Sequence, residues 1–182
     1  RAAEVTGSQR HAAAGRTALR HDRGLADRLD QTDRVDRVGK APVDLGWCGG
    51  LAGAVLARMG TKGDKTADDA VGEKWLDDAI VTLGEHRPLR DTSLCHGALG
   101  VAEALVALAA AGDERAVPHR DRGAAQLLGA LEQFGPRCGT PRGVPSPGLL
   151  TGLAGIGFGL LRLGFADQVP SVLLLDPAMP PY

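Results

Sequence analysis

Aromatic side chains are scarce in this chain of 182 residues, which has two tryptophans, one tyrosine and three phenylalanines. Proteins that bind single-stranded nucleic acids stack bases on aromatic rings and follow the phosphates with positive charge. Here 21 Lys and Arg residues stand against 22 Asp and Glu residues, so the formal net charge is −1. The sequence therefore predicts no nucleic acid partner, and it gives no electrostatic reason to expect an anionic membrane surface.

Cysteines are few, and their number is odd: Cys48, Cys95 and Cys138. A secreted disulfide scaffold usually has an even set, so reduced thiols in a cytoplasmic protein are the simpler interpretation. We expect no signal peptide, because the first twenty residues contain arginines and no apolar segment. Residues 143–161 carry no charge, but their two prolines and six glycines argue against a membrane span.

Glycine is abundant, with 26 residues, and it marks an internal repeat. Three segments align without gaps in the form x-x-G-x-x-G followed by apolar-rich residues; they begin at Cys48, Cys95 and Leu150. A repeat of about 50 residues built on helices is typical of helix-pair arrays and closed α/α toroids. We expect the glycines to permit unusual φ values at the helix starts, or the close approach of another segment.

Amphipathic segments lie between the glycine-led ones. Residues 67–83 and 122–134 have apolar side chains at helical spacing and charged side chains opposite them. The glycine-led segments are apolar all round, which is typical of helices buried on every side. The sequence therefore predicts an all-α fold, a partial α/α toroid in which glycine-led inner helices alternate with amphipathic outer helices.

Residues 1–40 differ from the rest of the chain. Between Arg20 and Lys40, Arg and Asp alternate with little apolar periodicity, which is typical of a solvated helix or a disordered arm. The alternative is sequence that does not belong natively to the fold. We therefore expect a polar arm at residues 1–40 and a helical domain at residues 41–182. Because the first residue is Arg, we interpret the chain as processed or as a fragment.

Cys48 and Cys95 share one position in the repeat, two residues before the first glycine of each pair, and His96 follows Cys95. Equivalent positions of adjacent inner helices lie at one height around a barrel, so these three side chains can converge. Two cysteines and one histidine with an open fourth position form a catalytic zinc pattern. The alternatives are cysteines that act as small apolar residues, or a Cys95–His96 nucleophile–base pair, which adjacent helical positions disfavour. Cys138, in a Gly- and Pro-rich loop, receives no role.

The motifs W-C-x-G from Trp47 and C-H-G from Cys95, with the glycine-led repeats, resemble the lanthionine synthetase C family. Residues 146–177 resemble the C-terminus of class II lanthipeptide synthetases, and the likeness covers residues 44–178. It implies a toroid whose zinc ligands are Cys48, Cys95 and His96. It also implies lanthionine ring formation, in which a cysteine of a dehydrated precursor peptide adds to dehydroalanine or dehydrobutyrine.

That family also has a histidine and an acidic residue for proton transfer, in repeats that precede W-C-x-G. No H-G-x-x-G element precedes Cys48, and His11 and His21 match no motif. The sequence therefore predicts the last three inner helices of a cyclase ring, a chain that by itself binds zinc weakly and closes rings inefficiently. The dehydratase half of a class II enzyme is not found in these residues, and we expect it as a partner.

Two alternatives to the cyclase stay open. One is a non-catalytic zinc-binding remnant or peptide-interaction module. The other is a different α/α-toroid enzyme, such as a glycosidase or a terpenoid cyclase, which should show paired carboxylates on its inner helices. Glu103 is the only acidic residue inside a glycine-led segment, and this argues against the second alternative.

Overall fold

The computed structural model of the chain describes residues 6–15, 17, 44–59, 69–85 and 89–176. The chain divides into two compact units, residues 1–43 and 44–182. In the first unit, residues 9–15 are helical. Residues 18–40, which form the greater part of the predicted polar arm and include His21, lie outside the described residues. The second unit contains the three glycine-led repeats.

Five α-helices are described in the second unit: α1 Leu51–Met59, α2 Asp69–Glu85, α3 Ala98–Ala110, α4 Ala116–Phe134 and α5 Leu153–Gly164. A turn of 3₁₀ helix, Pro141–Gly143, lies between α4 and α5. The described residues include no β-strand, so the all-α prediction is confirmed. None of the helices in this part of the chain is long and apolar enough to cross a membrane.

Helix α3 is the centre of the second unit. It contacts each of the other four helices, and ten of its 13 residues are buried. A helix that is surrounded on every side has no solvent-facing stripe, which explains why its sequence is apolar all round. Helix α4, by contrast, buries only Ala116 and Leu127. The burial of α3 and α4 follows the predicted difference between inner and outer helices. The prediction is wrong for glycine-led α5, which buries only four of its 12 residues, and the arrangement in a toroid stays a prediction.

One ion pair is buried within this apolar centre. Glu103 of α3 is 4% exposed and Arg162 of α5 is 5% exposed, and the Arg162 Nε donates to the Glu103 carboxylate at 3.1 Å. The Arg162 Nη1 also donates to the carbonyls of Ala166 and Val169, at 2.7 and 2.6 Å. The pair therefore ties α5, and the segment that follows it, to α3. Because removing either partner would leave an uncompensated buried charge, Glu103 serves the fold.

The loops that precede α1, α3 and α5 fold alike. In each, the first amide of the helix donates back to a carbonyl at the start of its own loop. The three bonds are Leu51 to Asp44 at 2.9 Å, Ala98 to Asp91 at 3.0 Å and Leu153 to Ser146 at 2.7 Å. They satisfy amides that a helix N-terminus otherwise leaves without partners. The repeat in the sequence is thus a repeated loop-to-helix turn.

Close approach of the backbone explains the glycine pairs. A Cβ at Gly100 would lie 2.3 Å from the carbonyl oxygen of Leu94, and one at Gly155 would lie 1.5 Å from that of Leu149. By contrast, Gly97 has a φ of −103°, a value that any residue adopts. The expectation of unusual φ values is therefore wrong for Gly97, whereas the expectation of close approach is confirmed.

Two glycines of α5 should respond in opposite ways to alanine. A Cβ at Gly159 would lie 3.0 Å from both methyl groups of the buried Leu99, whereas one at Gly157 would meet nothing within 4 Å. Gly157→Ala should therefore raise the free energy of unfolding by about 0.5–1 kcal/mol, and Gly159→Ala should lower it by about 1–3 kcal/mol. Chemical denaturation measures both changes, and equal stabilisation by the two variants would contradict the described packing of α5 on α3.

Candidate metal centre

A side chain at the start of each loop closes a turn on its own backbone. It accepts a hydrogen bond from the amide two residues further along: Asp44 at 2.8 Å, Asp91 at 2.9 Å and Ser146 at 3.2 Å. Asp and Ser favour such turns because their short side chains reach the local backbone. These turns set the direction in which each loop leads into the cysteine position of the repeat.

The loops are joined to one another at equivalent positions. The amides of Trp47 and Cys48 donate to the carbonyl of Cys95, at 2.7 and 3.4 Å, and the Cys95 amide donates to the carbonyl of Leu150 at 2.9 Å. Cys95 thus binds the loop before it through its carbonyl and the loop after it through its amide. This backbone pairing places Cys48 beside Cys95.

The three predicted ligands come together in the structure. The sulfurs of Cys48 and Cys95 and one ring nitrogen of His96 all lie within 4.8 Å of one another. Cys48 is exposed and Cys95 is partly buried, while the His96 side chain is 41% exposed. One side of the cluster is therefore open to solvent. The distances allow a shared metal ion, and the binding of zinc stays a prediction.

The remaining repeat position and the remaining cysteine lie outside this cluster. Leu150, the counterpart of the two cysteines in the third loop, is 39% exposed and offers no ligand atom. Cys138 is 3% exposed and packs within the apolar core. A buried thiol of this kind behaves as a small apolar side chain.

The groups that hold the His96 ring were missed by sequence reasoning. The Nε2 of His96 lies 3.0 Å from the carbonyl oxygen of Gly139 and 3.8 Å from Oδ2 of Asp91. Because a carbonyl oxygen only accepts, this hydrogen bond requires the hydrogen on Nε2 and leaves a free lone pair on Nδ1. Asp91 occupies the same position of its loop as Asp44, and this recurrence of an acidic residue is the feature of the sequence that could have indicated the contact of Asp91 with His96. Gly139 lies in a loop outside the repeat, where no pattern pointed to it.

The surroundings of Cys95 keep its thiol neutral. Burial raises the pKa of Cys95, and the neighbouring Cys48 and the negative charges of Asp91 and Asp44 raise it further, to about 11. At neutral pH this thiol is therefore protonated unless a nearby cation stabilises the thiolate. A nucleophile–base pair would require a lowered pKa, so the direction of the shift argues against that role for Cys95 and His96.

The donor atoms fit a zinc-type ion. Two cysteine sulfurs and one imidazole nitrogen are ligands that Zn²⁺ commonly binds, and three protein ligands with an open position are typical of catalytic sites. Histidine ligands usually donate their second ring N–H to a carbonyl or carboxylate, which orients the ring. The contact of His96 with Gly139 has this form.

Metal affinity should depend on pH, because a metal that binds Cys95 must displace its proton. The raised pKa of about 11 means that the Cys95 proton is present throughout the range from about pH 7 to 9. The apparent Zn²⁺ affinity should therefore rise about tenfold per pH unit for this proton alone. Competition with a chelator of known affinity measures the slope, and Cys95→Ser should reduce it. An affinity that does not change with pH would contradict coordination by the Cys95 thiolate.

A family of known proteins matches the chain over most of its length. The family model described as lanthionine synthetase C-like protein matches residues 1–174. That range contains Cys48, Cys95 and His96, together with all three repeated loops. None of the curated proteins compared with the chain matches it. Because this match covers most of the length of the chain, the chain belongs to the lanthionine synthetase C-like family.

Proposed function

We propose that this chain provides a zinc-dependent site for lanthionine ring formation, as the C-terminal part of a class II lanthipeptide synthetase cyclase. The convergence of Cys48, Cys95 and His96 from two adjacent loops carries this proposal. Membership of the lanthionine synthetase C-like family supports cyclase chemistry. The class II assignment rests on the likeness of residues 146–177 to the ends of those synthetases.

Each of the three side chains would coordinate the ion through one atom. Cys48 and Cys95 would bind through their sulfurs, and His96 through Nδ1, because its Nε2 already donates to a carbonyl. Bound Zn²⁺ would lower the pKa of a substrate thiol, so that the attacking sulfur is a thiolate at neutral pH. The two cysteines would each bring a negative charge, which keeps that sulfur electron-rich and nucleophilic.

The proposed substrate is a dehydrated precursor peptide. The sulfur of a peptide cysteine forms a bond to the β-carbon of dehydroalanine or dehydrobutyrine, the carbon–carbon double bond opens, and the α-carbon takes a proton. The open side of the cluster gives a peptide access to the site. Leu149 and Leu150 are 41% and 39% exposed, and the loop that carries them is bonded to Cys95, so they offer an apolar surface for the peptide.

A non-catalytic zinc-binding or peptide-binding module is the second candidate. Ring formation needs a proton source, and within the described residues the ligand cluster includes no histidine besides His96. His119 packs instead against Gly84, where a Cβ would lie 1.9 Å from its Nδ1, and His86 lies outside the described residues. A different toroid enzyme is disfavoured, because the carboxylate of Glu103 is bound by Arg162.

The state of the cysteines bears on the cellular compartment of the protein. All three cysteines are free, and reduced thiols are typical of cytoplasmic proteins. We therefore propose a cytoplasmic enzyme that works with the dehydratase half of a class II system, which supplies the dehydrated peptide.

A cyclisation assay separates the two candidates. The purified chain, with Zn²⁺ and a dehydrated precursor peptide, should consume the peptide thiol slowly, and Cys95→Ala should abolish this reaction. Slow turnover is expected because a displacement of the zinc ligands and the substrate thiol by about 1 Å can lower the rate of reaction about a hundredfold. Leu128→Ala, at an exposed position of α4, is the matched control and should keep the activity. Zinc binding without thiol consumption would favour the non-catalytic module, and thiol consumption that needs neither zinc nor Cys95 would refute the zinc-dependent cyclase site.

A further inference from the structure

We infer that residues 137–139, here called the strap, are a positioning element of the metal centre. The strap holds the His96 ring with its hydrogen on Nε2, so that Nδ1 is presented to the ion. The part of this inference that concerns the ion rests on the proposed function. The part that concerns the ring stands on the contacts of the protein alone.

The strap is clamped at its first residue by Thr92. The amide and the Oγ1 of Thr92 both lie 2.8 Å from the carbonyl oxygen of Arg137, and the Arg137 amide lies 2.9 Å from the Thr92 Oγ1. Thr92 is 6% exposed, so these bonds are shielded from competing water. Because Thr92 lies in the same loop as His96, the clamp fixes the strap relative to the loop that carries the ring.

The rest of the strap is anchored in two further ways. The side chain of Cys138 is buried in the apolar core, and the amide of Gly139 donates to the carbonyl of Thr151 at 2.8 Å. Thr151 follows Leu150, whose carbonyl accepts the amide of Cys95. The strap therefore spans the second and third loops, and the buried thiol outside the repeat has a structural role in holding it.

Gly139 touches the ring because it has no side chain. A Cβ at this position would lie 2.6 Å from the Oγ of Ser93 and 2.8 Å from the Nε2 of His96. Ser93 is fully buried, and its hydroxyl has no hydrogen-bond partner in the part of the chain that the structure describes. The carbonyl of Gly139 can therefore approach the ring only while residue 139 is glycine.

This contact selects one tautomer of His96. With the hydrogen on Nδ1 instead, the lone pair of Nε2 would face the lone pairs of the Gly139 carbonyl at 3.0 Å, which is repulsive. The carboxylate of Asp91, with Oδ2 3.8 Å from the same nitrogen, acts in the same direction. Both neighbours therefore favour the form whose free lone pair lies on Nδ1.

The Gly139→Ala variant tests the strap by measurement of Co²⁺ and Zn²⁺ affinity. The added methyl group must displace the strap or the ring, so affinity should fall by about tenfold to a hundredfold, the usual effect of losing a group that orients a metal ligand. The Co²⁺ absorption spectrum should change with it. Gly129→Ala is the matched control, because a Cβ there would meet nothing within 4 Å, and its affinity should equal that of the parent chain.

A second substitution separates loss of position from loss of fold. Ser93→Gly removes the nearest obstacle to the new methyl group, and Gly46 and Gly148 already occupy the equivalent position of the other two loops. The double variant Ser93→Gly, Gly139→Ala should therefore recover part of the lost affinity but not all of it, because the new methyl group would still lie 2.8 Å from the Nε2 of His96. Thr92→Val, which keeps the side-chain shape but removes both hydroxyl bonds to Arg137, should lower affinity in the same direction. Parent-like affinity in both Gly139→Ala and Thr92→Val would overturn the inference.

The tautomer of His96 in the metal-free protein tests, without any metal, whether the strap orients the His96 ring. NMR shifts of the imidazole carbons and nitrogens at about pH 8, assigned with His96→Asn, should show the hydrogen on Nε2 in the parent chain and a mixture of tautomers in Thr92→Val. A parent chain with this tautomer that binds no metal would refute the proposed function and leave the role of the strap intact. A mixture in the parent chain itself would refute the strap.

Discussion

The carbonyl of Cys95 accepts hydrogen bonds from the loop before it, and its amide donates to the loop after it. These bonds can form only because the glycine pairs let each loop fold back against its own helix start, with no space for a Cβ at Gly100 or Gly155. Side chains at equivalent repeat positions are therefore held next to one another. The backbone bonds between the loops therefore fix Cys48 beside Cys95 in addition to the packing of the helices.

The same arrangement explains why His96 can act with its neighbour Cys95. Adjacent residues of a helix point in different directions, but these two residues lie in the turn before α3 begins at Ala98. There the Cys95 sulfur and the His96 ring can face one ion, and the strap holds the far side of the ring. With the pKa of Cys95 raised to about 11, the metal-free site holds a neutral thiol at Cys95, and a thiolate there would require a nearby cation.

The repeat, the all-α fold and the three clustered residues could be predicted from the sequence, because each leaves a periodic signal. The apolar circumference of α3 and the shared position of Cys48 and Cys95 are such signals. Gly139 could not be predicted, because its contact with His96 depends on how a non-repeating loop folds back across the repeats. The prediction of unusual φ values at the glycines was partly wrong. A glycine that is required because a carbonyl lies close to it cannot be distinguished, from the sequence, from a glycine that is required because its φ is positive. Most of residues 1–40 lie outside the described residues, so the predicted polar arm stays a prediction.

The most direct test of the central claim is X-ray absorption spectroscopy of the chain loaded with one equivalent of Zn²⁺. Coordination by Cys48, Cys95 and His96 predicts two sulfur ligands at about 2.3 Å and one imidazole nitrogen at about 2.0–2.1 Å, with a lighter fourth ligand. The Cys48→Ser variant should lose one of the two sulfurs. A parent site with a single sulfur ligand, with four sulfurs, or with a shell unchanged by Cys48→Ser would contradict the account.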